Sequence, residues 1–204
     1  MSDEKRPYRM TLRAELEALT RRRITESTVE LHGTLGPSRT TISAVAKHAG
    51  VRRSTVYRHF PDEAALFAAC TAHWMAANPL PDLKRWAAIE DPNERVAFAL
   101  RELYAHYSRT EGMMDNLIRD ELTMPIVREL FGGYRDYIAA ACDGLVSGPP
   151  ERGPRRLLTA VIGHALAYTT WHSLVREQRL DNVLSAGLMC RLVAAAVEPL
   201  PKKR

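Results

Sequence analysis

The sequence predicts an all-α fold of about nine helices joined by short loops. Apolar residues recur at helical spacings of three and four along most of the chain, and alternating strand patterns are almost absent. The composition is that of a folded domain, because 204 residues with 46% hydrophobic and 26% charged side chains are enough to bury a core. No apolar run approaches the roughly 18 residues of a membrane span, and the first residues lack the apolar core of a signal peptide, so we expect a cytoplasmic protein.

Three helices are predicted in close succession near the N-terminus. The first carries a helical stripe of Ile24, Thr28, Leu31 and Leu35. A second, short helix spans residues 42 to 48, with Thr40 or Thr41 as its N-cap. After a sharp turn at Gly50, a third helix runs from residue 51 to about residue 59. Two short helices joined by a glycine turn are typical of a helix-turn-helix.

Two helical segments are predicted in the middle of the chain. The first opens near Pro92 and the second follows Pro125, where Gly132 and Gly133 are expected to loosen or kink it. The stripe of the first is Val96, Leu100, Leu103 and Tyr107. The looser stripe of the second is Ile126, Leu130, Tyr134, Ile138 and Leu145.

Two further helices are predicted toward the C-terminus. Residues 154 to about 179 form the longest uninterrupted helical stretch, with a broad apolar face. The last helix starts at a cap supplied by Asp181 or Asn182 and extends to residue 197. Its stripe consists of Leu184, Leu188, Leu192 and Ala195.

Charge is distributed unevenly along the chain. Residues 1–60 hold twelve Lys and Arg against six Asp and Glu, a net charge of +6, whereas residues 61–204 have a net charge of −1. A basic segment beside a near-neutral remainder favours a polyanionic partner at one end of the molecule, with nucleic acid as the leading candidate. A solvated basic surface is the alternative that charge alone leaves open.

The third predicted helix has the chemistry of a DNA recognition helix, because polar side chains surround only two apolar anchors. Arg52 and Arg53 can read guanine as bidentate donors, and Thr55 can contact a thymine methyl group. Tyr57 and His59 can hold phosphates.

These residues resemble the TetR family of transcriptional regulators. Thr40 stands five and six positions before Val45 and Ala46, Ala49-Gly50-Val51 follows, and the third helix ends with Tyr57-Arg58-His59-Phe60. The motif covers about 45 residues, and the remaining helices match the family in architecture only. The sequence departs from the family at Glu63, since the family often has Lys-Glu after Phe-Pro-x, and at His32, where an aromatic Phe often packs.

The resemblance implies a basic N-terminal arm and lead-in over residues 1–19, expected to be flexible, and a helix-turn-helix domain over residues 20–66. A helical effector-binding and dimerisation domain follows over residues 67–204. The implied partner is a double-stranded, palindromic DNA operator bound by a homodimer, with repression as the commoner mode. The residues expected to face DNA are Arg39, Thr40, Thr41, Arg52, Arg53, Ser54, Thr55, Tyr57, Arg58 and His59.

A small apolar or aromatic effector is expected to bind among the helices of the C-terminal part, although each candidate residue also suits an ordinary core. The candidates are Trp74, Phe98, Tyr104, Tyr107, Met113, Met114, Leu117, Tyr137, Tyr168 and Trp171. No metal or cofactor is expected, because neither the His164 and His172 pair nor the Glu102 and His106 pair makes a convincing site.

An enzyme and a ligand-binding or adaptor protein are the two alternatives to a regulator. The common nucleophile, phosphate, dinucleotide and zinc-protease motifs are not present, so the sequence does not indicate an enzyme. An α-helical ligand-binding or adaptor protein without sequence-specific DNA binding remains open because of Glu63. Three scattered cysteines, Cys70, Cys142 and Cys190, are predicted to be reduced thiols.

Overall fold

The computed structural model describes residues 5–146 and 155–197, and it confirms the all-α prediction. Over these residues the chain forms eleven α-helical segments and no strand, and two of the segments are only five residues long. The segments are α1 (Lys5–Thr34), α2 (Ile42–His48), α3 (Arg53–His59), α4 (Glu63–Ala77), α5 (Leu83–Ala87), α6 (Pro92–Asp120), α7 (Pro125–Leu130), α8 (Gly132–Val146), α9 (Arg155–Leu166), α10 (Tyr168–His172) and α11 (Asn182–Val197).

The first of two compact units contains the described residues up to Pro79 together with Gly112–Leu130. Within it, α1 packs against α2 and α4, and α2 packs against α3. Its core is formed by small and branched apolar side chains with one aromatic ring: Ile24, Val45, Ala46, Ala49, Val56, Phe60 and Leu66. The short helices α2 and α3 are therefore held by tertiary packing, since helices of this length are not stable alone.

The second unit contains Leu80–Glu111 and the described residues from Phe131 onward. In this unit α8 packs against α5 and α9, and α9 packs against α11. The stripe predicted for the helix after Pro92 is confirmed, because its four residues are all buried on α6. The helix predicted after Pro125 is interrupted by the glycine pair as expected, with α7 ending at Leu130 and α8 beginning at Gly132.

The predicted uninterrupted helix over residues 154–179 is wrong. α9 ends at Leu166, Ala167 is extended with φ −65° and ψ 134°, and α10 is followed by a π-helical turn over Ser173–Glu177. The broken backbone is stabilised from α6, where the hydroxyl of Tyr104 donates to Ala165 O at 2.9 Å. Alanine favours helices, so the residue at the break gives no sequence signal.

The first helix is longer than predicted. Residues 5–19, assigned to the basic arm and lead-in, are part of α1, whereas residues 1–4 lie outside the described residues. The last helix begins as expected, because Asp181 Oδ1 accepts a hydrogen bond from the amide of Leu184 at 2.8 Å. None of the described helices is both long and apolar enough to traverse a lipid bilayer.

Candidate nucleic-acid interface

The helix-turn-helix is set by a cap, a glycine turn and a following helix. Thr41 is the cap of α2, because its Oγ1 accepts a hydrogen bond from the amide of Ala44 at 3.1 Å. Thr40 Oγ1 instead donates to Gly36 O at 2.8 Å. The turn after α2 is at Gly50, whose φ of 62° lies in the left-handed region that glycine adopts without a steric cost.

The two helices are anchored by a few apolar side chains. Val45 and Ala46 of α2 are buried, and Ala49 is buried just after it, which leaves room for the helix crossing. Val56 is the buried residue within α3, and Phe60 directly after the helix is also buried. Because α3 has so narrow an apolar side, most of its surface carries polar side chains.

The residues predicted to face DNA lie on the surface of the first unit. Seven of the ten are exposed and three are half-buried. The exposed ones are Arg39, Thr41, Arg52, Arg53, Ser54, Tyr57 and Arg58, and the half-buried ones are Thr40, Thr55 and His59. Tyr57 is 46% exposed, so its ring and hydroxyl group are accessible to a partner.

Arg21 of α1 contacts the end of α3. Its guanidinium lies 4.1 Å from the centre of the Phe60 ring, a cation–π contact, and its Nη1 donates to His59 O. Burial and the nearby charge of Arg58 lower the pKa of His59. His59 Nε2 is enclosed and has no hydrogen-bond partner among the described residues, so a phosphate contact through that atom requires the ring to move.

The loop between α1 and α2 is held by the end of α6. Asn116 Nδ2 donates to His32 O at 3.0 Å and to Gly33 O at 2.9 Å, which satisfies carbonyl groups at the end of α1. Asp120 Oδ2 accepts from the amide of Ser38 at 2.9 Å. The position of the loop that leads into α2 is thus fixed by residues about 80 positions later in the chain.

Arg119 completes this cluster. Its Nη2 donates to Leu35 O at 3.1 Å, its Nε to Asp120 Oδ1 at 2.8 Å and its Nη1 to Asn116 Oδ1 at 2.7 Å. Gly36 has a φ of 94°, and a Cβ at this position would overlap the guanidinium of Arg119. We call Asn116, Arg119 and Asp120 the loop-holding residues.

No sequence pattern predicts the loop-holding residues. Their carbonyl and amide partners are main-chain groups, which leave no mark in the side-chain sequence. The local signal is limited to two short polar pairs, Asp115-Asn116 and Arg119-Asp120, at the end of a helix that otherwise shows a clear apolar stripe.

The first turn of α4 differs in charge from what the family resemblance leads one to expect. Asp62 caps the helix, with Oδ1 accepting from the amide of Ala65 at 2.7 Å. Glu63 follows as an exposed carboxylate. The chain therefore presents negative charge at the position where a lysine was expected to meet a phosphate.

The ligand-binding candidates fall into both units. Trp74, Met113, Met114 and Leu117 lie in the first unit, and Phe98, Tyr104, Tyr107, Tyr137, Tyr168 and Trp171 lie in the second. In the second unit, the Tyr107 ring centre lies 5.2 Å from that of Tyr168 and 5.8 Å from that of Trp171. Tyr107 Oη lies 2.6 Å from Leu166 O, to which it donates. These rings form a buried aromatic cluster beside the break in α9.

Comparisons with known proteins agree with this architecture. Residues 24–70 match the profile of the bacterial regulatory proteins of the tetR family. No curated protein matches the chain significantly. A putative fatty acid metabolism regulator from Clostridium perfringens is similar in structure, with a TM-score of 0.63 and 16% identity, over 87% of this chain and 100% of the other.

Two further solved structures are similar. A TetR-like transcriptional regulator from Rhodococcus sp. RHA1 has a TM-score of 0.64 at 17% identity, over 87% of this chain and 94% of the other. The transcriptional regulator FadR from Bacillus subtilis, solved in complex with stearoyl-CoA, has a TM-score of 0.56 at 17% identity, over 86% of this chain and 98% of the other. At these identities the similarity is one of fold.

Proposed function

The chain carries the N-terminal domain of the tetR family within the fold of TetR-family transcriptional regulators, and from this premise we propose that it is a ligand-responsive repressor. It binds a palindromic operator as a homodimer through α3 and is released by a small apolar effector. The observation that carries the proposal is the exposed polar surface of α3, where Arg52, Arg53 and Tyr57 stand on a helix with one buried side chain.

The exposed side of α11 supports the homodimer. Val183, Leu184 and Leu192 are 73%, 57% and 45% exposed, although an isolated subunit gains nothing from apolar side chains in water. All three lie on one element, which suits the isologous contact of a twofold dimer. Two copies related in this way present two recognition helices, and a palindrome matches that symmetry.

The second unit is the proposed effector site. Its aromatic cluster lies beside two backbone irregularities, the break at Ala167 and the π-helical turn Ser173–Glu177, and such turns are frequent at functional sites. The Bacillus subtilis neighbour was solved with stearoyl-CoA, so a long acyl chain is one apolar ligand to test here.

The loop-holding residues offer a route for release. They form the end of α6, a helix whose earlier turns belong to the effector-binding unit. An effector that favours a different position of α6 would shift the loop before α2, and only one arrangement of the two recognition helices fits both half-sites.

Fluorescence anisotropy with DNA flanking the coding region tests the proposal. Arg53→Ala is expected to weaken binding and to relax the preference at one base pair by about 1 to 3 kcal/mol. Tyr57→Phe is expected to weaken binding to all sequences alike if its hydroxyl holds a phosphate. Lys84→Ala, which removes an exposed positive charge outside the helix-turn-helix, is the matched control.

The salt dependence of DNA binding distinguishes a DNA-binding regulator from an α-helical ligand-binding or adaptor protein. For a DNA-binding dimer, the logarithm of the binding constant falls linearly with the logarithm of the salt concentration, because each neutralised phosphate releases counterions. If neither the flanking DNA nor a selection from random duplexes yields a sequence preference, the chain is instead an α-helical ligand-binding or adaptor protein.

A further inference from the structure

A cavity of about 360 Å³ lies within the first unit, apart from the aromatic cluster of the second unit. Val45, Leu66 and Phe67 form an apolar part of its wall, and most of the other lining residues are polar, including Arg53 and Tyr57 of α3 and the carboxylate of Glu63. A cavity of this size falls within the usual range for small-molecule sites.

His32 supplies the buried polar group of this cavity. It is 4% exposed and lines the wall, and its Nδ1 lies 3.6 Å from Cys70 Sγ. The Cys70 thiol also lies 3.1 Å from Phe67 O, to which it donates. His32 therefore places a hydrogen-bonding imidazole in the wall of the cavity.

Burial also keeps this imidazole neutral. It lowers the pKa of His32 to about 4, against the opposing effect of the Asp120 charge. The same burial raises the pKa of Cys70 to about 11, so the thiol keeps its proton at neutral pH. A neutral imidazole can exchange a hydrogen bond with a hydroxyl group, which both donates and accepts.

The size of the cavity restricts the ligand further. An apolar cavity of roughly 150 Å³ holds one benzene ring, so about 360 Å³ has room for a molecule of about two rings. We propose that this cavity is a second small-molecule site, which takes a neutral bicyclic aromatic or similarly compact molecule whose hydroxyl group exchanges a hydrogen bond with the His32 imidazole.

A molecule bound in this cavity is expected to weaken DNA binding directly. This consequence rests on the proposed function. Arg53 and Tyr57 are both predicted DNA contacts and both line the cavity. A molecule held there fixes these two side chains against the ligand, so the ligand and DNA compete. Such competition requires no change in the effector-binding unit.

The test uses 2-naphthol as the probe and the full chain as the protein, with binding measured by isothermal titration calorimetry. We expect one molecule to bind per chain, and naphthalene, which has no hydroxyl group, to bind about tenfold more weakly. His32→Phe is expected to weaken 2-naphthol binding about tenfold by removing the hydrogen-bonding group while keeping a ring in place. His73→Phe, the same replacement on α4 outside the cavity wall, is expected to leave it unchanged.

A second variant fills the cavity. Met124 lines it and is not a predicted DNA contact, so Met124→Trp is expected to abolish 2-naphthol binding while the far-UV circular dichroism stays that of wild type. Failure of wild type to bind 2-naphthol overturns the proposal, and so does equal binding by His32→Phe and wild type or persistence of full binding in Met124→Trp.

The competition is measured separately, by adding 2-naphthol to the protein–DNA complex. An increase in the apparent dissociation constant that His32→Phe reduces supports the direct mechanism. Because the calorimetry needs no DNA, a protein that binds 2-naphthol but no DNA supports the cavity site and contradicts the proposed function, whereas the reverse result contradicts the cavity site alone.

Discussion

Asp120 is a carboxylate that is 2% exposed and therefore depends on its hydrogen bonds. Burial opposes its charge, but hydrogen bonds from Arg119 and from the Ser38 amide outweigh that effect and lower the pKa of Asp120 below its ordinary value. The contribution of Asp120 to stability is thus present above the unfolded-state pKa, near 3.9, and is lost as the pH falls through the lower folded-state pKa.

Asp120→Asn tests this role. We expect the free energy of unfolding at neutral pH to fall by about 1 to 3 kcal/mol, because the variant loses charge-assisted hydrogen bonds in a buried place. Chemical denaturation at pH 7 and at pH 3 measures it, and the difference from wild type is expected to shrink at the lower pH. Glu129→Gln, which removes an exposed charge from α7, is the control. An equal loss in both variants contradicts the role of the buried carboxylate.

The negative charge of Glu63 is expected to repel a DNA phosphate at the start of α4. Glu63→Lys is expected to raise affinity for DNA of any sequence and to steepen the salt dependence by about one unit per half-site, since it adds a phosphate contact. Anisotropy titrations at several salt concentrations measure the slope. Glu63→Gln separates the loss of repulsion from the gain of a positive charge. An unchanged slope in Glu63→Lys means that the start of α4 is not at the DNA backbone.

Among individual residues, those that cap a helix locally or belong to an apolar pattern could be predicted from the sequence. Val56, one of the two apolar residues of the third predicted helix, is buried as expected, and the threonine cap expected before α2 is formed by Thr41. The sequence did not predict Asn116 or Asp120, because their partners lie about 80 residues away in the chain. Long-range hydrogen bonds to the main chain depend on the fold and have no periodic signal.

Among the elements, the break between α9 and α10 is stabilised by side chains from α6. Tyr107→Phe removes the hydroxyl that donates to Leu166 O in a buried place, so we expect the free energy of unfolding to fall by about 1 to 3 kcal/mol. Thermal or urea denaturation measures the change. Tyr57→Phe, at an exposed position, is the matched control and is expected to leave stability within about 0.5 kcal/mol. Equal stability of the Tyr107→Phe variant and wild type contradicts a role of this hydroxyl in the break.

Helix existence was easier to predict than helix continuity. The stripe on α6 and the turn at Gly50 follow from apolar spacing and from glycine, and both are confirmed. The break at Ala167 depends on hydroxyl groups that reach the backbone from a helix 60 residues earlier, so the local pattern predicted one continuous helix instead.

For the whole molecule, the decisive expectation is the homodimer. Leu184→Glu is expected to give a monomer in sedimentation velocity, because a charge in the centre of an apolar contact is left unpaired. Affinity for a palindromic site is expected to fall about tenfold or more, as the two half-sites are then bound independently. Gln178→Glu, which adds the same charge at an exposed position outside α11, is the control. A dimeric Leu184→Glu variant contradicts the assignment of this face.

The fold class of the whole molecule could be predicted because helical spacing is repeated throughout, and the resemblance of the N-terminal motif agrees with the family profile that residues 24–70 match. The binding site of the effector could not be predicted from the sequence, because aromatic and methionine residues pack in any core. The ten ligand candidates are all aromatic, methionine or leucine residues, and they lie in both units of the structure.

The membership of α6 in both units limits how the protein can be divided. A fragment that ends at Pro79 contains every predicted DNA contact but none of the loop-holding residues, which begin at Asn116. Its carbonyl groups at the end of α1 and its loop before α2 would lose their partners. The proposed DNA-binding surface is therefore not a portable module, and a hybrid made by exchanging N-terminal segments must bring the matching end of α6 with it.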